Sequence, residues 1–254
     1  PWEWIKKLQK VAEEERITLF SSPFDFSSVE FLEKLNMPAY KIASPEMIDL
    51  PFIRRVAQTG KPIIMSTGGA TLEQIKEAVN VMVEENVEDF AILKCTSEYP
   101  ASPNKINLKT IQNLKDLFKC TVGLSDHTLG SAIPIASIGL GASIVEKHFI
   151  VSREGATADS FFSATPDELK AIVNGAEMVR EAVGSVSYPI ENKVQRSLIA
   201  IKKIKQGGRL VNGENFKSLR PGGGIEPKYL DCVNNKKAIK DIEFGALLSW
   251  DLIS

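Results

Sequence analysis

Short β-rich apolar runs alternate with segments of helical period along most of this chain, and few folds accommodate that alternation. The runs are Ile17–Ser22, Ala39–Ser44, Pro62–Thr67, Phe90–Cys95, Thr121–Asp126 and Ser143–His148. Helical spacing marks Pro51–Thr59, Leu72–Asn86, Leu108–Leu117, Ala132–Leu140 and Pro166–Ala182. Thr71 before Leu-Glu-Gln, and Thr165 before Pro166, Asp167 and Glu168, supply helix start signals. The pattern predicts an α/β fold, a parallel sheet covered by crossover helices. Six strands are expected, and the chain opens on a helix, so a complete (β/α)8 barrel would need two more units before Pro1. Pro1-Trp2-Glu3-Trp4 shows neither an initiator Met nor a signal peptide, which suggests a fragment.

The pattern changes after Ala182. Residues 1–184 form the expected barrel-like unit and 185–195 a linker. Residues 196–254 form a mostly β module of about sixty residues, small enough to be marginal alone. Its landmarks are Arg196–Ile201, the Arg220-Pro-Gly-Gly-Gly224 turn and Gly245–Trp250.

Composition narrows the partners. With 254 residues and a net charge of −1, the chain has no basic excess with which to displace counterions from nucleic acid or an anionic membrane. No run approaches the roughly 18 apolar residues of a membrane span. Three cysteines, Cys95, Cys120 and Cys232, without zinc-type spacing, fit a reducing cytoplasm rather than a disulfide framework. None has a base recognisably beside it, which argues against a thiol nucleophile. The glycines Gly222 to Gly224 lack dinucleotide or P-loop spacing.

The two histidines of the chain, His127 and His148, each end a strand-like run, one βαβ unit apart. Strand ends of this kind line the face where α/β folds build their sites. Neighbouring strands would bring both imidazoles to one divalent metal; two separately hydrogen-bonded structural histidines are the alternative. The other strand ends carry Ser21, Ser22, Lys41, Ser44, Glu46, Ser66, Thr67, Thr96, Ser97, Glu98, Tyr99, Ser125, Asp126 and Glu146. Hydroxyls around one lysine suit phosphate, although capping and turns account for any single serine or threonine. Lys41, inside an apolar strand, could be a Schiff-base nucleophile, a fixed ammonium for an anion, or a snorkelling surface lysine. Glu46, just after Pro45, could move a proton or be a solvated loop acid. Asp126 joins Lys41 and Glu46 as a candidate catalytic residue.

Six segments, taken together and in order, resemble the sialic acid synthases: Ser22-Pro-Phe-Asp, Tyr40-Lys-Ile-Ala-Ser-Pro-Glu46, Lys61-Pro-Ile-Ile-Met-Ser-Thr-Gly68, Lys94-Cys-Thr-Ser-Glu-Tyr-Pro100, Gly123-Leu-Ser-Asp-His-Thr128 and Val145-Glu-Lys-His-Phe149. The stretch from Arg196 is similar to that family's antifreeze-like (SAF) domain. The resemblance implies a TIM-type (β/α)8 barrel lacking its first two βα units, followed by the SAF domain. It implies condensation of phosphoenolpyruvate with an N-acetylated amino sugar. His127 and His148 would hold a divalent metal, Mn2+ in the first instance, with Mg2+ or Co2+ as alternatives. Phosphoenolpyruvate would lie on Lys41, Ser22, Ser44, Ser66, Ser97 and Ser125, Ser22 standing where the family has threonine and Ser97 where many members have asparagine. Glu46, Tyr99 and Asp159 would face the sugar. Arg220 would reach a partner's site, which requires a domain-swapped homodimer.

The Gly155–Ser163 stretch, with its Asp-Ser-Phe-Phe-Ser ending, resembles the pseudaminic branch of the family, which uses a 2,4-diacetamido-2,4,6-trideoxy hexose. N-acetylneuraminate and legionaminate synthases are the alternative, and a Schiff-base aldolase or an inactive carbohydrate-binding fragment are further ones. Without two leading units, the resemblance implies poor folding and little turnover for the 254-residue chain.

Overall fold

A computed structural model describes residues 2–154, 157–188 and 195–254. Most of the expected linker and the first two residues of Gly155–Ser163 lie outside them. In chain order the helices and strands are α1 (Ile5–Glu14), α2 (Phe26–Lys34), β1 (Tyr40–Ile42), α3 (Leu50–Ala57), β2 (Ile63–Ser66), α4 (Leu72–Glu84), β3 (Phe90–Cys95), α5 (Lys109–Phe118), β4 (Thr121–Asp126), α6 (Ala132–Gly139), β5 (Ile144–Lys147), α7 (Pro166–Val183), β6 (Ser197–Ala200), β7 (Phe216–Leu219) and α8 (Leu230–Val233). Their contacts divide the chain into two units, Pro1–Gly184 and Ser185–Ser254. Among the described residues, no helix is long and apolar enough to cross a membrane.

The first unit is a five-stranded parallel sheet in the order β1-β2-β3-β4-β5. Four helices, α2, α3, α4 and α7, start where short polar side chains satisfy otherwise unpaired N–H groups. Asp25, Thr71 and Thr165 each cap a helix and exchange a second bond with the residue three positions on, at α2, α4 and α7. The strand expected over Ile17–Ser22 does not form. Only Ser21 bridges to Tyr40, while Ile17 and Phe20 are exposed. An apolar run becomes a strand only where a partner satisfies its backbone and covers its side chains, and this one has a partner for a single residue.

The pleat sorts the side chains. Tyr40, Ile42, Ile63, Met65, Ile92, Val122 and Leu124 pack against Phe52, Ile53 and Val56 of α3, Ile75, Ala78 and Met82 of α4, and Ile111 and Leu114 of α5. Residues one position along each strand face the other way. In register, that second face carries Lys41 on β1, Ser66 and Leu93 on β2 and β3, and then Cys95, Ser125 and Glu146 across β3, β4 and β5. This face is concave. Five strands in a flat sheet would hold β1 and β5 about 19 Å apart, yet Lys41 Nζ lies 3.5 Å from Glu146 Oε2.

Gly123 permits the close approach of β4 to β5. A Cβ there would sit 2.3 Å from the Ile144 carbonyl oxygen and 2.6 Å from a Leu93 methyl. Because the nearer obstacle is backbone, Gly123→Ala is expected to cost about 1–3 kcal/mol or more of stability, read as a lower urea midpoint. An unchanged midpoint would show that the two strands can spread.

The second unit pairs β6 with β7 antiparallel and adds single bridges at Ile199–Leu247, Ile204–Ile242, Arg209–Lys237 and Ala238–Ile253. Its core is Leu198, Leu210, Phe216, Val233 and Leu248 with their neighbours.

Candidate functional site

Lys41 is buried on the concave face, where its ammonium donates to the Ile42 carbonyl at 2.9 Å and faces Glu146. Burial pushes its pKa down, and Glu146 works against that shift. Glu146 also accepts a 2.6 Å hydrogen bond from Ser125 Oγ. Ser66 Oγ is buried without a hydrogen-bond partner, as is Glu46 Oε2 on the turn after β1. Ser44, on that same turn, accepts from the Gly68 N–H at 2.9 Å. Ser97 adjoins it: a Cβ on Gly68 would lie 2.2 Å from Ser97 Oγ and 2.8 Å from Ser44 Oγ. Ser22 follows Ser21, whose carbonyl accepts the Lys41 N–H at 3.1 Å. The two orphaned oxygens and the tight Gly68 cradle mark where a ligand's polar atoms can be received.

The two histidines come together at the ends of β4 and β5, their ring centroids 5.4 Å apart. His127 Nδ1 lies 2.9 Å from the Thr96 carbonyl oxygen. A carbonyl only accepts, so Nδ1 carries a proton, and in the neutral ring the lone pair falls on Nε2. Burial presses the His127 pKa down, but hydrogen bonds to the Cys95 thiol and the Thr96 carbonyl outweigh it and hold it above the usual value. For His148 burial prevails, with His127 as a second cause, and its pKa falls. His148 Nδ1 faces the Asp159 carboxylate at 3.6 Å. Tyr99 lies over His127 with centroids 4.2 Å apart, and Phe162, buried, meets the edge of His148 at 4.8 Å.

No group of three His, Cys, Asp or Glu side chains suited to a metal occurs among the described residues. The candidate donors are two imidazoles, His127 oriented through Nδ1 by the Thr96 carbonyl and His148 with its Nδ1 facing the Asp159 carboxylate. That fits a divalent ion whose remaining positions are taken by water or substrate.

Asp126 is not brought to this group. One residue along the strand from Ser125, it points to the helical side, where Lys147 donates to Oδ2 at 2.6 Å and Thr128 donates twice, from N to Oδ1 at 3.1 Å and from Oγ1 to Oδ2 at 3.0 Å. Both ion-pair partners are almost wholly buried. The structure therefore gives Asp126, expected among the catalytic residues, a buried ion pair away from the concave face, because pleat alternation decides which of two adjacent polar residues meets that face. Arg220 lies in the second unit, exposed, before a cis peptide to Pro221. Sequence reasoning counted Glu146 among the strand-end polar residues without giving it a role, and set Cys95 aside as lacking a base, whereas His127 stands beside it. Cys95 and Glu146 share one register row with Ser125, which only the strand pairing reveals.

Comparison with known proteins shows the family. Residues 1–188 match the NeuB family and residues 195–254 the SAF domain. A pseudaminic acid synthase of Campylobacter jejuni is 42% identical over 98% of this chain and 74% of its own length. An N,N'-diacetyllegionaminic acid synthase of the same species is 36% identical over 96% of this chain and 75% of its own length. The crystal structure of the spore coat polysaccharide biosynthesis protein SpsE of Bacillus subtilis superposes with a TM-score of 0.70 at 29% identity, covering all of this chain and 78% of that one. With three quarters of its length matched by the first model and its end by the second, the chain belongs to the NeuB family and carries a SAF domain.

Proposed function

We propose that the protein condenses phosphoenolpyruvate with a 2,4-diacetamido-2,4,6-trideoxy hexose, giving pseudaminic acid and phosphate. One observation carries the reading: a buried ammonium among hydroxyls shares a sheet face with two imidazoles and with orphaned oxygens on Glu46 and Ser66. The pseudaminic acid synthase among the relatives supports the choice of sugar. Lys41, Ser22, Ser44, Ser66, Ser97 and Ser125 receive the phosphate and carboxylate of phosphoenolpyruvate, because hydroxyl donors around one fixed charge match those oxygens. Glu46, Tyr99 and Asp159 face the sugar, with Glu46 placed to take or give a proton. His127 and His148 hold a divalent metal, Mn2+ first and Mg2+ or Co2+ as alternatives, which when bound supplies Lewis acidity toward the sugar's carbonyl oxygen.

In the reaction, the methylene carbon of phosphoenolpyruvate forms a bond to the aldehyde carbon, water adds at the former enol carbon, and phosphate leaves with C–O cleavage. Lys41 and the hydroxyls stabilise the charge that gathers on phosphate. Residues 1–184 form the synthase unit, 185–195 the linker and 196–254 the SAF domain. The SAF domain brings Arg220 to a partner's sugar site in a domain-swapped homodimer.

The test is phosphate release with Mn2+, on the 254-residue chain and on any longer form its gene encodes. The trideoxy diacetamido sugar and N-acetylmannosamine are offered separately. Release only with the trideoxy sugar is expected. Release only with N-acetylmannosamine would move the protein to the neuraminate branch. Borohydride trapping of Lys41 on pyruvate, with no metal dependence, would replace the reading by a Schiff-base aldolase.

A further inference from the structure

The chain leaves β5 at His148 and returns to it at Ala164. Ala164 N–H donates to the His148 carbonyl at 2.8 Å, Ile150 N–H donates to the Ala164 carbonyl at 2.9 Å, and Phe149 bridges Ala164. The residues that face the His148 ring, Asp159 and Phe162, are therefore held on an excursion whose two ends meet at His148 itself. Beside that neck stands Arg153. Its Nε and Nη2 both donate to the Ser163 carbonyl, at 3.2 and 2.8 Å, and Nη2 also reaches Glu168 Oε2 at 2.6 Å. Glu168 is the third residue of α7 and accepts the Thr165 N–H at 2.9 Å, so Arg153 is fastened to the start of the longest helix. Ser163 in turn donates to the Asp159 carbonyl, from Oγ at 2.6 Å and from N at 3.2 Å.

We infer that Arg153 is a positioning residue for His148. It fixes the Asp159–Ser163 turn on the α7 terminus and so sets Asp159 and Phe162 against the imidazole. A planar fork with several fixed donors suits this task, and a lysine, with one compact charge, does not reproduce it. The metal arm of the test rests on the reading of His127 and His148 as ligands; the spectroscopic arm does not.

The chain has two histidines, so the imidazole C–H signals of a 13C-labelled sample are two sets, assigned by His148→Gln. In the metal-free protein at fixed pH, Arg153→Ala is expected to move the His148 signals toward those of a free imidazole, because the Phe162 ring current is lost. The His127 signals, anchored by the Thr96 carbonyl, are expected to move less. Arg153→Lys, which keeps a charge toward Glu168, is expected to give a smaller shift in the same direction, and it carries the test should the alanine variant not fold. With Mn2+ added, affinity is expected to fall about tenfold in Arg153→Ala, the loss typical of removing support behind a ligand. His148 signals unchanged in both variants would overturn the inference. Equal movement of both histidines and of the SAF-domain signals would overturn it too, by showing general destabilisation. If Mn2+ broadens neither histidine in the unmutated protein, the metal reading fails, while the His148 shift still decides the part played by Arg153.

Discussion

Replacing His127 by alanine is expected to lower sugar-dependent phosphate release by about a thousandfold or more, in whichever form of the protein turns over. The site offers two imidazoles and no third protein ligand among the described residues, so one substitution halves the donor set. Lewis-acid stabilisation of a developing alkoxide is worth several kcal/mol, and each ~1.4 kcal/mol is tenfold in rate. The loss should appear in kcat and in Mn2+ affinity together, while phosphoenolpyruvate, on the proposed reading held by Lys41 and the hydroxyls, should still bind. Calorimetric titration of the metal beside steady-state kinetics separates the two. Turnover within tenfold of the unmutated protein, with Mn2+ still bound, would remove His127 from the metal reading.

The second large effect concerns stability. Asp126→Ala is expected to cost about 3–5 kcal/mol, because it leaves the Lys147 ammonium buried with only the Thr128 carbonyl to face. Asp126→Ala with Lys147→Met should be less destabilised than the single variant, since removing both charges removes the uncompensated one. Urea unfolding of the three proteins makes the comparison. The folded fraction of Asp126→Ala should retain its kcat, in line with a carboxylate that lies on the helical side of the sheet. A folded but inactive Asp126→Ala protein would return Asp126 to the chemistry.

Much of this was legible in the residues. The alternation located β1 to β5 and their crossover helices, because each apolar run is bounded by turn residues and α3, α4 and α7 open on the capping side chains of Asp49, Thr71 and Thr165. It failed at Ile17–Ser22, where the residues have strand composition but only Ser21 finds a partner. It also passed over α2, which a capping box at Asp25 and Ser28 announces. The histidine pair was readable because both residues end neighbouring strands. The choice between Asp126 and Glu146 was not, since both are acids at strand ends and only the register reveals that Glu146 shares a row with Ser125. Phe161 and Phe162 pose the same difficulty: adjacent and identical, one is exposed and the other packs on the imidazoles. Which phenylalanine turns inward depends on the hydrogen bonds of the Asp159–Ser163 turn.

The contact between Lys41 and Glu146 joins the first strand of the arc to the last. Every strand between them arrives through its own helical crossover, so this pair lies at the far end of a long sequence separation. Contacts of that kind carry the greatest loop-closure cost, and parallel sheets rich in them fold slowly. A species that has paired only β1, β2 and β3 would already own Lys41, Ser66 and Tyr99, yet would have neither imidazole and would lack Glu146, the ion-pair partner of Lys41. Competence to bind is therefore expected only once the sheet has acquired β5, so ligand should stabilise the complete arc rather than any part of it.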